Sequence, residues 1–348
     1  MYGNYEVQTG TSIQELVEMC NQPNTITFVD ENVLKHWSVF NLPNVISVDA
    51  NENTKTLHGV GELINKFVES DATPKTKIIA IGGGIVQDAV GFIASVWCRG
   101  VDYVLVPTTL LSQIDSCVGG KTSINHIRKN ILGTFWPPKE IMICTDFLNT
   151  LSETDYWSGW GEWIKYNVLR NKIDHTIQTL SSLNKGHEIE FIVDGLGYKI
   201  GIIQRDEFDK GERKFLNFGH TFGHALESAS QWKIPHGYAV FIGSLIAMYV
   251  SYKLGEENEQ RWEELQRFSA FGRSYLDRGC LEKSMGSFER EWFTRELIDI
   301  AKKSDKKQEG GQGLRMVLVN EDGAYLYNVE NETVLEQAIE WVYNEVCK

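Results

Sequence analysis

Five short apolar runs rich in β-branched residues recur along the first 150 residues: TITFVD (25–30), VISVDA (45–50), KIIAIGG (77–83), YVLVPTT (103–109) and EIMICTD (140–146). Each ends in a polar or glycine-bearing turn. Segments between them, such as ENVLKHWSVF and TKTLHGVGELINKFVES, carry apolar residues at helical spacing. Strands alternating with helices in this way predict a parallel sheet covered by helices. After Thr150 the pattern changes. Segments 153–170, 188–205, 219–229, 237–254 and 258–279 read as helices, and GLRMVLVNEDGAYLYNV reads as one hairpin turning at Glu321-Asp322-Gly323. The expected fold is an α/β domain with a parallel sheet over residues 1–150, followed by a mainly α-helical domain over residues 151–348.

Composition narrows the function. An apolar fraction of 42%, with ten Trp and sixteen Phe, is enough for real cores. We read no run of about 18 apolar residues and no basic, then apolar, leader in MYGNYEVQTGTS, so a soluble cytoplasmic protein is expected. Six cysteines (20, 98, 117, 144, 280, 347) stand without a CxxC pair, and most are expected as buried small hydrophobes in a reducing compartment. A formal charge of −13 argues against nucleic acid or an anionic membrane as partner. An anionic small molecule remains compatible, provided that cations gather locally around it.

Four constellations carry chemistry. In LNFGHTFGHALE, His220 and His224 lie four residues apart on one helix face, and PHGYAV supplies His236. Such a pair can chelate zinc, but no glutamate follows the first histidine as in HExxH, so metal binding, substrate binding and core packing all stay open. If a carboxylate completes a metal site, the best placed is Glu162 in SGWGEWIKYNVL, whose apolar surroundings demand a cation partner. In IIAIGGGIVQDAVGF a strand runs through three glycines into a helix, which suits a pyrophosphate at a helix N-terminus but is not the GxGxxG spacing. GGKT at 119–122 invites a P-loop, yet position 115 is aspartate where that motif needs glycine. Finally, Lys121, Lys129, Lys199, Arg213, Lys306 and Lys307, with Asn130 and Asn217, offer what an acidic chain needs to hold a phosphorylated acid.

Taken in order, GGGIVQDAVGFIASVWCRG, VPTTLLSQIDSCVGGKTSIN, KNILGTFWPP, GEWIKY, DEFDKGERKFLNFGHTFGHALE and PHGYAV closely resemble the 3-dehydroquinate synthase family of sugar phosphate cyclases. The resemblance runs from about Asp30 to Lys307. It implies a zinc or cobalt ion on Glu162, His220 and His236, with His224 turned to the substrate. It implies NAD along Asp30, Asn32, Glu52, Lys55, Gly83, Gly84, Ile85, Val86, Gln87, Asp88, Thr108, Thr109 and the turn Phe147, Leu148, Asn149 and Thr150, with Asp115, Lys121 and Lys129 beside it. The implied substrate cradle is Arg99, Asp115, Lys121, Lys129, Asn130, Lys165, Lys199, Arg213, Asn217 and His224, joined by Lys306 or Lys307.

The implied activity is that of a carbon–oxygen lyase of the shikimate pathway. It converts 3-deoxy-D-arabino-heptulosonate 7-phosphate (DAHP) to 3-dehydroquinate and phosphate by transient oxidation, β-elimination, reduction and intramolecular aldol closure. A homodimer is the implied assembly. The chain departs from the family pattern at Gln87, Asp209, Tyr238 and Trp160-Gly161, and its loop 124–129 is one residue short. These departures leave open a cyclase acting on sedoheptulose 7-phosphate or amino-DAHP, and the shared two-domain plan leaves open a metal-dependent polyol dehydrogenase.

Overall fold

The computed structural model describes residues 6–127, 129–255, 259–279, 281–304 and 313–348. The chain divides into two compact units, Met1–Leu151 with Lys185–Phe208, and Ser152–Asn184 with Asp209–Lys348.

The first unit is built on strands β1 (Glu6–Thr9), β2 (Thr25–Asp30), β3 (Val45–Val48), β4 (Lys77–Gly82), β5 (Tyr103–Pro107) and β8 (Glu140–Ile143). They pair in the order β1-β8-β5-β4-β2-β3, every pair parallel. Residues of β2 and β5 are buried throughout, as expected of strands covered on both faces. Helices α1 (Ile13–Cys20), α2 (Glu31–His36), α3 (Leu57–Glu69) and α4 (Gly84–Val96) make the crossovers, and strands β6 (Lys121–Ile124) and β7 (Leu132–Phe135) form a separate antiparallel hairpin. The five anticipated strands are all present. The sequence reading missed the edge strand β1 and the β6–β7 hairpin, each only four residues long per strand.

A helix expected in the second domain, α7 (Ile189–Arg205), belongs to the first unit. It packs on the turn Ser112–Ser116, where the Lys199 ammonium meets Asp115 Oδ1 at 2.9 Å and the Asp115 carbonyl at 2.8 Å. Cys20, Cys117, Cys144 and Cys347 are buried thiols, whereas Cys98 is exposed.

The second unit contains α5 (Glu153–Leu169), α6 (Ile173–Ser182), α8 (His220–Ala229), α9 (His236–Leu254), α10 (Glu259–Arg278), α11 (Leu281–Met285), α12 (Glu296–Ser304) and α13 (Glu332–Val342). It also holds the antiparallel hairpin β9 (Leu314–Asn320) and β10 (Gly323–Val329), which turns where NEDG predicts. Helix α9 is apolar on every side, and Gly237 to Ser251 are all buried within the unit. By length and composition this helix could cross a membrane, yet 83% of its apolar window lies inside the fold. It is the core about which α5, α8, α10, α13 and β9 pack.

Two glycine crossings set how closely these helices approach. A Cβ on Gly161 of α5 would overlap the Gly237 carbonyl of α9, and one on Gly237 would overlap the Ser158 carbonyl. Likewise a Cβ on Gly243 of α9 would overlap the carbonyl of Gly219, whose φ of +77° favours glycine, just ahead of α8. Overpacking against backbone has no flexible partner to move aside. Gly243→Ala should therefore lower the stability of this unit by about 1–3 kcal/mol, read as a fall in the urea midpoint by tryptophan fluorescence. An unchanged midpoint would mean that the helices separate freely.

Candidate active site

The two crossings bring three side chains together. Glu162, one residue past Gly161, lies on α5 and is 1% exposed. His220, one past Gly219, opens α8, and His236, one before Gly237, opens α9. His220 Nε2 lies 3.1 Å and His236 Nε2 3.2 Å from the same oxygen, Glu162 Oε1.

The opposite ring nitrogens decide what this means. His220 Nδ1 is 3.1 Å from the carbonyl of Phe218, which can only accept, so Nδ1 carries the proton. His236 Nδ1 is 3.4 Å from Glu227 Oε1, another acceptor. Both Nε2 lone pairs then point at a carboxylate oxygen. Three acceptors in contact require a positive centre, either a proton or a metal ion. The electrostatics agree: burial alone would push the His236 imidazole down, but its bonds to Glu162 and Glu227 outweigh that and raise it to about 10. Burial likewise disfavours the Glu162 carboxylate, yet Lys165 and His220 hold it well below the usual range. Two imidazole nitrogens and one carboxylate oxygen, with ligand atoms within 4.8 Å of one another, suit a divalent ion.

Around this centre, Lys165 lies one turn along α5, 2% exposed, and its ammonium ion-pairs with Glu162 Oε2. That leaves Oε1 turned to the imidazoles. His224 is half-exposed at 49%, with its ring 5.2 Å from that of His220 and 5.9 Å from that of His236. Arg213 is buried and Asn217 exposed on the 3₁₀ turn Glu212–Asn217, three residues ahead of His220. Lys306 and Lys307 lie outside the described residues. Glu227, which sequence reasoning did not assign, is buried on α8 seven residues after His220, a spacing of two turns that puts both on one face.

In the first unit, the nucleotide candidates gather by topology. Parallel strands share one carboxyl edge. Asp30 ends β2, Glu52 and Lys55 follow β3, Gly83 to Asp88 follow β4, Thr108 and Thr109 follow β5, and Phe147 to Thr150 follow β8. The order reverses between β2 and β4, the switch point where open α/β sheets bind ligands. Gly83 caps α4 with no side-chain partner for the first-turn amides, and beside Gly84 only Ser116 Oγ, 3.8 Å from where a Cβ would lie, limits the space. That is a backbone cradle for an anion.

Several of these residues also do local structural work. Asp30 accepts from the Asn32 amide at 2.8 Å to cap α2. Gln87 is buried, its Oε1 accepting from Ser116 Oγ at 2.8 Å, and Ile85 and Val86 complete the first turn of α4. Lys55 ion-pairs with Asp88, whose carboxylate also accepts from the Ser123 amide at 3.0 Å. Glu52 accepts from Asn125 at 2.6 Å and faces Lys129 at 3.6 Å, while the Asn130 amide donates to Asn125 Oδ1 at 2.9 Å. Phe147 and Leu148 pack into the core, leaving Asn149 and Thr150 exposed. Lys121 is exposed on β6. Arg99 is exposed with φ +72°, flanked by Cys98 at +49° and Gly100 at +117°, three successive residues of positive φ.

Two family models match, described as "3-dehydroquinate synthase N-terminal" over residues 45–158 and "3-dehydroquinate synthase C-terminal" over residues 159–277. A curated 3-dehydroquinate synthase of Staphylococcus carnosus is 35% identical over 96% of this chain and 94% of its own length. The chain belongs to the 3-dehydroquinate synthase family. Another member, from Pyrococcus furiosus, is 41% identical over 215 residues, 62% of this chain and 63% of that one. Among solved structures, a 2-deoxy-scyllo-inosose synthase complexed with carbaglucose-6-phosphate, NAD+ and Co2+ shares the fold at a TM-score of 0.77, with 22% identity over 96% of each chain.

The raised His236 gives a testable sign. An imidazole raised to about 10 holds its extra proton at neutral pH, and a metal needs that ring neutral. Binding of Zn2+ should therefore release about one proton at pH 7 and tighten as pH rises toward 10. Calorimetry in buffers of different ionisation enthalpy measures this. Zinc binding with no proton release would contradict the assigned electrostatics.

Proposed function

We propose that this chain converts DAHP to 3-dehydroquinate and phosphate, using NAD at the carboxyl edge of the parallel sheet and a divalent ion, zinc or cobalt, on Glu162, His220 and His236. The observation that carries the reading is the set of three acceptor atoms converging on one centre, in a family whose curated relatives are named for this activity. The inosose synthase of the same fold, solved with NAD+, Co2+ and a sugar phosphate analogue, supports the same pair of cofactors.

When bound, the ion would polarise substrate oxygens and the nicotinamide would exchange a hydride with the substrate, unchanged over a full turnover. The chain's own residues do the rest. Lys165 neutralises the outer oxygen of Glu162, so the carboxylate keeps Oε1 for coordination. His224, half-exposed beside the centre, is suited to donate to the phosphate. Arg213 offers a planar fork to a carboxylate, and the Asn217 amide a neutral donor. Arg99, Lys121, Lys129, Asn130 and Lys199 supply the remaining charge and hydrogen bonds, with Asp115 fixing Lys199. On a chain of net charge −13, an anionic substrate depends on these local cations.

Purified protein given DAHP, NAD and Zn2+ should release inorganic phosphate with no net accumulation of reduced nicotinamide. Sedoheptulose 7-phosphate should release none. Release from the second substrate alone would reassign the cyclase, and net nicotinamide reduction would indicate a polyol dehydrogenase. Arg213→Ala should lower kcat/KM by about 10²-fold, the size typical of one electrostatic donor.

A further inference from the structure

We infer that Glu227 is a positioning residue of the ion site: it fixes the tautomer and ring plane of His236 and thereby sets how tightly Glu162, His220 and His236 hold a divalent ion. The inference rests on the ion-binding reading above and deepens it.

The two imidazoles are held in different ways. His220 gives its Nδ1 proton to a backbone carbonyl, Phe218 O at 3.1 Å, which no substitution can remove. His236 has a side chain in that place, Glu227 Oε1 at 3.4 Å from Nδ1. A neutral imidazole carries one proton, and a proton on Nδ1 leaves the Nε2 lone pair for coordination. Without an acceptor at Nδ1, the ring could place that proton on Nε2, which faces Glu162 Oε1 at 3.2 Å. The proton would then be drawn to the carboxylate, and the ligand lost. Glu227 prevents this. As a carboxylate it also makes the ring more basic than an amide partner would.

The placement follows from the helices. Glu227 is buried, two turns along α8 from His220, so the helix that supplies one ligand also braces the other. The glycine contacts between α8 and α9 hold that brace at a constant reach: Gly223, one turn before Glu227, meets Ala239 and Val240 so closely that a Cβ there would lie 3.2 Å from them.

One rival use of the same atoms exists. His224, Glu227 and His236 also have ligand atoms within 4.8 Å of one another, so they could hold a second ion. That would place metal on both nitrogens of His236, which demands an imidazolate. It would also rely on His224, whose Nε2 is 4.0 Å from Glu227 Oε2. The single-ion arrangement needs no such deprotonation.

The test is titration of the metal-stripped full chain with Co2+ alone, read by its visible absorption, and with Zn2+ against a chromophoric chelator. Wild type should bind one ion. Glu227→Ala should weaken binding about 10–100-fold, the usual effect of losing such a partner, and shift the Co2+ spectrum. Glu227→Gln, of the same size and still an acceptor, should keep more of the affinity than the alanine variant, and it decides the matter if the alanine variant does not fold. Wild-type affinity and spectrum in both variants would overturn the inference, as would a second bound ion that is lost in His224→Ala. Glu162→Ala separates the two levels of argument. If it abolishes Co2+ binding while both Glu227 variants bind normally, only the role of Glu227 falls. If wild type binds no ion, the site reading falls with it.

Discussion

A carboxylate with 1% exposure is the interaction on which the second unit depends. Burying an ion such as Glu162 costs several kcal/mol unless its oxygens are matched. One oxygen is matched by Lys165 from its own helix, the other by imidazoles that open α8 and α9. Both imidazoles enter from helices that approach closely. Gly161 against Gly237, and Gly243 against Gly219, remove the side chains that would hold the helices apart. Each ligand therefore sits next in sequence to a crossing glycine, and the packing of the core and the geometry of the site are a single constraint.

The first unit solves a different problem. Its carboxyl edge carries charged residues in loops, where backbone is poorly constrained, and these are held by being paired with one another. Lys55 and Asp88 join the loop after β3 to the first turns of α4, and Ser123 ties both to the β6–β7 hairpin. Asp115 and Lys199 bind α7 to the turn that follows β5. Glu52 gathers Asn125 and Lys129. An acidic chain thus pairs its carboxylates with lysines along this edge. Pairing of this kind preorganises charge more than it stabilises the fold.

Regular features were legible because they repeat. The strands TITFVD, KIIAIGG and YVLVPTT, and the helices α5, α7, α8, α9 and α10, announce themselves through β-branched runs and 3.6-residue periodicity, whereas α6, α11, α12 and α13 went unread. Strand β1 and the β6–β7 hairpin did not: EVQT, KTSI and LGTF interrupt their apolar residues with polar or small ones, whereas the equally short β8 carries the run IMI. Glu162, His220 and His236 stood out by residue type and by family motif. Glu227 had the weakest signal available, a seven-residue step from His220 within one helix, and nothing in the sequence says that α9 would bring His236 against it.

Sequence alone determined the types of the longer strands and helices and the family, because these follow from local periodicity and from the order of motifs along the chain. Tertiary structure decided which helix joins which unit, as α7 joins the first through Lys199 and Asp115. It also decided which nitrogen of each histidine faces Glu162, through Phe218 for one ring and Glu227 for the other. Both decisions rest on contacts between residues far apart in the chain, formed only where glycines and paired charges let separate elements approach, and no local pattern encodes them.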